Sequence, residues 1–185
     1  MGTEIEAKLK VDSLQEIESK LVRLGAEFLE EQLQKDSYFD DANNTLKKSD
    51  RCLRLRRLLT DRTEKMFLTY KGAKEKDRFK KRQEIELEIK DADSARKLFS
   101  ELGYERALVV EKKRRVWRLG QCEVALDELP LLGSFVEIEG PDEDRIAEVQ
   151  KNLGLSDLLH ITDGYAALMA KKLRQQNSGG IYEAG

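Results

Sequence analysis

Several stretches of this chain place charged side chains at every second position. Glu4, Glu6 and Lys8 alternate with Ile5, Ala7 and Leu9, and Arg54 and Arg56 alternate with Leu53 and Leu55. Glu84, Glu86 and Glu88 alternate with Ile85, Leu87 and Ile89, and Glu137 and Glu139 with Val136 and Ile138. Side chains alternate faces along a strand, so each stretch has one charged face and one apolar face. The charges are also sorted: some strands offer only carboxylates on this face, others only Arg and Lys. Clustered carboxylates suit oxygen-seeking cations such as Mg2+ or Mn2+. Clustered Arg and Lys suit phosphate oxygens, with Arg able to bind them in bidentate fashion. Carboxylates, a metal and several cations together fit a polyphosphate, because a mono-anion does not require so many positive groups.

A half-buried sheet with one solvated face produces the same alternation. The helices shift the balance. Leu14, Ile17, Leu21 and Leu24 recur at helical spacing, with Asp12 or Ser13 to cap the start and Gly25 to end it. Ala95, Leu98, Phe99 and Leu102 repeat the design, with Asp93 as the cap and Gly103 as the stop. Pro141 opens a third helix with Asp142, Glu143 and Asp144 in its first turn. A last helix is predicted from about Asp163 through Leu173, with Tyr165, Leu168 and Met169 inward. These apolar stripes need a surface, and only the apolar strand faces supply one. The charged faces must then line an interior, where charge is tolerated if paired or bound to metal and ligand.

Strands are predicted at Glu4–Val11, Ser37–Asp40, Cys52–Leu58, Lys65–Lys71, Gln83–Lys90, Val109–Leu119, Glu123–Leu126 and Phe135–Glu139. Short connections between most of them predict an α+β fold: a closed eight-stranded antiparallel β-barrel with amphipathic helices packed outside. A barrel of about eight strands has room for one small ligand. A strand–helix–glycine unit recurs, beginning at Glu4-Ile5-Glu6, Glu84-Ile85-Glu86 and Glu137-Ile138-Glu139 and ending at Gly25, Gly103 and Gly154.

The 185 residues fit one domain, expected over 1–174, with a polar tail at 175–185 expected to be disordered. Charged residues make up 38% of the chain, above the roughly 25% of ordinary globular proteins. Yet 34 basic side chains oppose 36 acidic ones, so there is no basic excess to suggest a nucleic-acid partner. No apolar run approaches the roughly 20 residues of a membrane helix, and the start leaves no room for a signal peptide. A cytoplasmic protein with reduced thiols at Cys52 and Cys122 is expected, without a membrane partner and with a homodimer as the default oligomer.

Together these residues resemble the CYTH, or triphosphate tunnel metalloenzyme, superfamily. Its ExExK hallmark is matched by Glu4, Glu6 and Lys8. Further blocks follow in order: Tyr38-Phe39-Asp40, Leu53-Arg54-Leu55-Arg56, Leu68-Thr69-Tyr70-Lys71-Gly72, Arg82-Gln83-Glu84-Ile85-Glu86, Lys112-Lys113-Arg114, Leu126-Asp127-Glu128 and Gly133 through Glu139. The resemblance implies an eight-stranded tunnel with Glu4, Glu6, Glu137 and Glu139 as metal ligands, assisted by Asp127 and Glu86. It implies a triphosphate held by Lys8, Arg54, Arg56, Lys71, Arg82, Lys112 and Arg114, with Lys171 on the last helix as a further contact. The implied cofactor is Mg2+ or Mn2+, and the implied substrate a small triphosphate. The block wording is most similar to the class IV adenylate cyclase branch, which converts ATP to cyclic AMP and pyrophosphate. Hydrolysis of inorganic or thiamine triphosphate is the alternative, and a non-catalytic polyphosphate-binding module the third. Class IV cyclases carry a His-Phe pair a few residues before ExExK. Only Met1-Gly2-Thr3 precede Glu4 here, which weighs toward hydrolysis.

Other residues have plainer readings. Asp127 fits a ligand or a turn residue, and Glu86 a ligand or the partner of Arg82 in a structural ion pair. Tyr38 fits packing or tunnel wall. Strand alternation leaves Lys113 and Arg115 on the outer face with Glu111, toward solvent or charged helix residues. His160 and Trp117 read as structural. The basic segment Gly72–Lys81 reads as a solvated loop that can guide anions to the tunnel mouth. The general base is left open between a lysine and a metal-bound hydroxide.

Overall fold

The charged and apolar strand faces are sorted as the alternation requires. The computed structural model describes residues 2–74 and 80–179, with the side chains at 2–4, 80–81 and 177–179 outside that description. The order is β1 (Gly2–Val11), α1 (Leu14–Arg23), β2 (Glu27–Asp41), α2 (Thr45–Lys48), β3 (Cys52–Leu59), β4 (Glu64–Lys71), β5 (Lys80–Ile89), α3 (Ala92–Glu101), β6 (Tyr104–Leu119), β7 (Cys122–Leu129), β8 (Gly133–Glu139), α4 (Glu143–Asn152) and α5 (Tyr165–Gly179). Every strand pair is antiparallel, in the order β1-β5-β4-β3-β2-β6-β7-β8. β1 pairs with β5 through Gly2–Glu6 and with β8 through Glu6–Val11, which returns the order to its start and closes the sheet.

The recurring unit appears as β1–α1, β5–α3 and β8–α4. Ser13 caps α1 by accepting from Glu16 N at 3.3 Å. Asp91, not Asp93, caps α3, accepting from Asp93 N and Ser94 N at 3.0 Å. Asp142 caps α4, so Pro141 lies outside the helix. Gly25, Gly103 and Gly154 follow the three helices at φ of 75°, 82° and 69°, a left-handed conformation that a Cβ would strain.

β2 and β6 are longer than expected. β2 begins at Glu27, ten residues before the predicted Ser37, and β6 begins at Tyr104 rather than Val109. The segment Glu27–Asp36 is rich in Glu and Gln, which favour helix in isolation. Its pairing with β6 along nearly its whole length overrides that preference, with register shifts at Phe28/Glu30 and Tyr38/Phe39 absorbing the twist.

The main core lies outside the barrel. Leu14, Ile17 and Leu21 of α1 and Ile146, Val149 and Leu153 of α4 pack on Ala7, Leu9, Val124, Leu126, Val136 and Ile138. Fully burying each large aliphatic side chain contributes about 1.5–3 kcal/mol. Phe99 of α3 packs on Phe39 and Leu55, meeting Phe39 edge-on at 4.9 Å. Of the outer charges, Arg115 pairs with Glu18 of α1 as expected, whereas Lys113 and Glu111, both exposed, meet not a helix but the neighbouring strand β2, Lys113 with Glu31 at 2.9 Å and Glu111 with Lys35 at 2.7 Å. Trp117 packs edge-on against Phe28, and His160 Nε2 lies 3.0 Å from Gln150 Oε1.

α5 departs from the expected outer layer. Tyr165 and Met169 join Val110, Leu129 and Phe135 in a cluster on the inward strand face. The helix also runs to Gly179, so residues 175–179 are helical rather than a disordered tail, and 180–185 lie outside the described residues. Cys52 and Cys122 are free thiols. Among the described residues no helix is long and apolar enough to cross a membrane.

Candidate functional site

The barrel encloses a cavity of about 710 Å3. Glu6 and Lys8 from β1 line it, as do Arg54 and Arg56 from β3 and Lys71 from β4. Arg82, Glu84 and Glu86 enter from β5, Lys112 and Arg114 from β6, and Glu137 and Glu139 from β8. Inward alternation thus brings most of the expected residues to one space. The Glu4 side chain lies outside the described residues, although its backbone pairs with Arg82. The basic segment at 75–79 also lies outside them, while Lys74 lines the cavity and pairs with Asp50 at 3.1 Å. Lys171 is exposed and is not among the lining residues; Ala166, Ala167 and Ala170 of the same helix are.

The carboxylate side of the cavity is built by register. Glu6 lies opposite Glu139 across β1 and β8, and Glu139 lies opposite Glu123 across β8 and β7. All three line the cavity. Like charges directly opposed across strands repel, and an oxygen-seeking cation between them relieves that cost. The all-oxygen donor set therefore fits a hard divalent cation. Among the described residues no three potential ligands already converge to metal-binding distances. Lys8 lies 3.2 Å from Glu137 and 3.9 Å from Glu6, so an ammonium stands within the carboxylate group.

Asp127 has a different place. It is fully buried and does not line the cavity. Lys112 Nζ donates to it at 2.9 Å, Arg114 forms two bonds at 2.6 Å, and the Tyr165 hydroxyl donates at 2.8 Å. The carboxylate is occupied in aiming two cavity cations and anchoring α5. Arg114 also bonds Glu137. Burial opposes the charged form of Lys112, and Arg114 adds to it, so its pKa falls to about 7 despite Asp127 and Glu137. Burial opposes ionisation of Asp127 too, but Arg114 and Lys112 outweigh it and hold the carboxyl below its usual range. The Tyr165 ring sits 4.2 Å from Lys8 Nζ and 4.7 Å from Lys112 Nζ, sheltering both ammonium groups.

Asp36 of β2 is a second anchor, on the other side of β6 from Asp127. Arg56 grips it with two bonds of 2.7 Å, and Arg54 lies 3.7 Å away. Burial disfavours its charge, yet Arg54 and Arg56 hold the carboxyl far below its usual range. Arg54 also donates to Thr69 at 3.0 Å and pairs with Glu86 at 3.5 Å, while Thr69 donates to Glu86 at 3.0 Å. Glu86 thus pairs with Arg54 rather than Arg82. Lys71 pairs with Glu84 at 2.6 Å. Two buried guanidinium N–H groups, Arg54 Nε and Arg82 Nε, have no acceptor among the described residues. Tyr38 is wall, its hydroxyl 3.4 Å from Asp36 and its phenol pKa raised by burial.

Sequence reasoning missed Gln32, Gln34, Asp36, Glu123 and Tyr165 as site residues, and placed Glu84 on the charged face without assigning it a role. Gln32, Gln34 and Asp36 alternate as the recognised positions do, but in a segment whose strand extent was underestimated. Glu84 and Glu123 stood on predicted strands, the former beside Glu86 on the charged face. No local signal distinguishes Tyr165, whose role comes from the docking of α5.

The CYTH domain family matches residues 2–165. A Methanocaldococcus jannaschii relative named "Putative adenylate cyclase MJ0240" is 32% identical over 136 residues, 74% of this chain and 75% of that protein. The PH1819 protein of Pyrococcus horikoshii OT3 has a similar structure, with a TM-score of 0.79 and 31% identity, covering 91% of this chain and 99% of that one. HpAC1 from Hippeastrum, called a putative adenylyl cyclase with a dominant triphosphatase activity, superposes with a TM-score of 0.69 over 91% of this chain and 95% of that one. At 20% identity that likeness is one of fold. With the family match spanning most of the sequence, the chain belongs to the CYTH domain family.

Proposed function

We propose that this protein is a divalent-metal-dependent enzyme acting on the triphosphate group of a small substrate, with cyclisation of ATP to cyclic AMP as the first reading. The observation that carries triphosphate binding is the cation wall. Two of its guanidiniums keep buried N–H groups without an acceptor among the described residues. A buried donor left unpaired is costly, and phosphate oxygens are acceptors of the right charge. The volume of about 710 Å3 falls within the roughly 300–1,000 Å3 typical of organic-ligand sites, which favours a triphosphate ester over bare triphosphate.

In this reading Arg54, Arg56, Lys71, Arg82, Lys112 and Arg114 hold the phosphates and stabilise charge as it builds on the leaving group. Glu4, Glu6, Glu137 and Glu139 hold Mg2+ or Mn2+, with Glu123 at the edge of the same row. Asp127 and Asp36 aim the cations and stay outside the metal set. The metal, when bound, neutralises phosphate oxygens and clamps their orientation. In cyclisation the ribose 3′-oxygen bonds the α-phosphorus and the bridging α–β P–O bond breaks. Its electron pair leaves with pyrophosphate, which also takes up the hydroxyl proton.

Hydrolysis is the second reading. Water then bonds a terminal phosphorus, the bridging P–O bond breaks, and a proton is released. Product analysis with ATP and with inorganic triphosphate, each with Mg2+ and with Mn2+, tests both. Cyclic AMP with pyrophosphate supports cyclisation. Orthophosphate with pyrophosphate from triphosphate, and ATP left intact, supports hydrolysis. No turnover of either by the folded protein rejects the proposal as drawn.

A further inference from the structure

A polar relay runs along the inward face of β2, beyond the charged residues of the site. Gln32 Nε2 donates to Glu30 Oε1 at 2.5 Å, and Gln34 Nε2 donates to Gln32 Oε1. The order of these bonds fixes which way each amide points. Glu30 Oε1 accepts, so Gln32 turns its NH2 toward it and its oxygen toward Gln34. Gln34 must then turn its NH2 toward Gln32, which leaves its own Oε1 at the free end of the relay. That oxygen is buried without a donor, in a side chain only 3% exposed. Gln34 lines the main cavity, and with Lys112 it also lines a second cavity of about 560 Å3. The orphan acceptor therefore belongs to a residue shared by the two spaces.

Phosphate oxygens cannot satisfy this atom, because they are acceptors as well. Nor does a further carboxylate serve. The atom needs a donor, and beside a bound polyphosphate the O–H of a water or hydroxyl supplies one. We infer that Gln34 orients the attacking O–H group, a water or a substrate hydroxyl, with Glu30 and Gln32 fixing the amide in its accepting orientation. The inference rests on the enzyme reading above and deepens it by naming a residue that holds the nucleophile. The second cavity gives water a route to the same residue from beyond the phosphate-binding space.

The test compares the parent with Gln34→Met, which keeps length and loses the acceptor, and with Glu30→Gln, which removes the group that sets the relay's direction. Steady-state kinetics are measured with ATP and with inorganic triphosphate under Mn2+. Binding of inorganic triphosphate without metal is measured by calorimetry, and folding by thermal melting. Loss of one hydrogen bond made in the transition state lowers kcat about 10- to 100-fold. Gln34→Met is expected to show that loss while binding triphosphate within about twofold of the parent, a split that general structural damage does not produce. Glu30→Gln is expected to lower kcat yet tighten triphosphate binding, because its relay can reverse and present the Gln34 NH2 to phosphate. If Gln34→Met does not fold, the opposed changes in Glu30→Gln carry the test.

A loss in triphosphate hydrolysis identifies water as the donor, and a loss in cyclic AMP formation identifies the ribose hydroxyl. A Gln34→Met kcat within twofold of the parent overturns the inference and leaves the enzyme reading standing. So does a parallel fall in kcat and triphosphate affinity in either variant. A folded parent that turns over neither substrate overturns the enzyme reading, and the role of Gln34 falls with it.

Discussion

Asp127→Asn replaces a fully buried carboxylate by an amide of the same shape. In the parent, that carboxylate accepts from Lys112, twice from Arg114, and from Tyr165. The variant leaves two buried cations facing a neutral group, and Glu137 must balance them while also pairing with Lys8. Removing one partner of a buried ion pair costs about 3–5 kcal/mol. For a chain of this size each kcal/mol moves the melting midpoint by about 2–4 °C, so a fall of roughly 6–20 °C is expected. Thermal melting by circular dichroism reads the stability, and triphosphate calorimetry reads whether Lys112 and Arg114 still reach the phosphates. Both are expected to fall together, because the same carboxylate supports the fold and aims the cations. A variant melting within about 2 °C of the parent, but needing more Mn2+ for activity, would refute the reasoning and return Asp127 to the metal ligands.

Three further outcomes follow from the same geometry. Glu139→Gln removes a carboxylate from the row shared with Glu6 and Glu123 at an exposed position, so the fold is expected to hold while turnover falls on the order of 100-fold; unchanged turnover across an Mn2+ titration removes Glu139 from the metal set. Thr69→Val deletes a fully buried hydroxyl that accepts from Arg54 and donates to Glu86, for a loss of about 1–3 kcal/mol in urea unfolding; a midpoint equal to the parent's excludes that bridge. Asp36 and Asp127 have carboxyl pKa values lowered by folding, so the stability they contribute is present above the unfolded value near about 4 and is lost as pH falls through the lowered folded values. Urea unfolding at several pH values is expected to show a shallower acid limb in Asp36→Asn than in the parent, and identical limbs would exclude the Asp36 pairing.

The alternation of charged and apolar residues determined a great deal by itself. A strand shows its two faces at period two, and a helix its stripe at period 3.6, so sorting in the sequence becomes sorting in space. That alone places Glu6, Lys8, Arg54, Arg56, Glu137 and Glu139 on the inner face. It also placed Lys113 and Arg115 outside, where Glu31 and Glu18 meet them. The helix ends at Gly25, Gly103 and Gly154 were legible because a left-handed residue leaves a chemical mark.

What the tertiary structure alone decided is who faces whom. The row of Glu6, Glu139 and Glu123 depends on register across β1, β8 and β7, which no local pattern encodes. Asp127 was visible as an acid near the end of a strand, but its commitment to Lys112 and Arg114 needs β6 beside β7, and its bond to Tyr165 needs α5 docked at the barrel. The length of β2, and with it the relay ending at Gln34, arises from pairing with β6 against a local preference for helix. Periodicity assigns a side chain to a face, while long-range packing chooses its partner, and the partner decides whether a buried charge binds a ligand or holds the protein together.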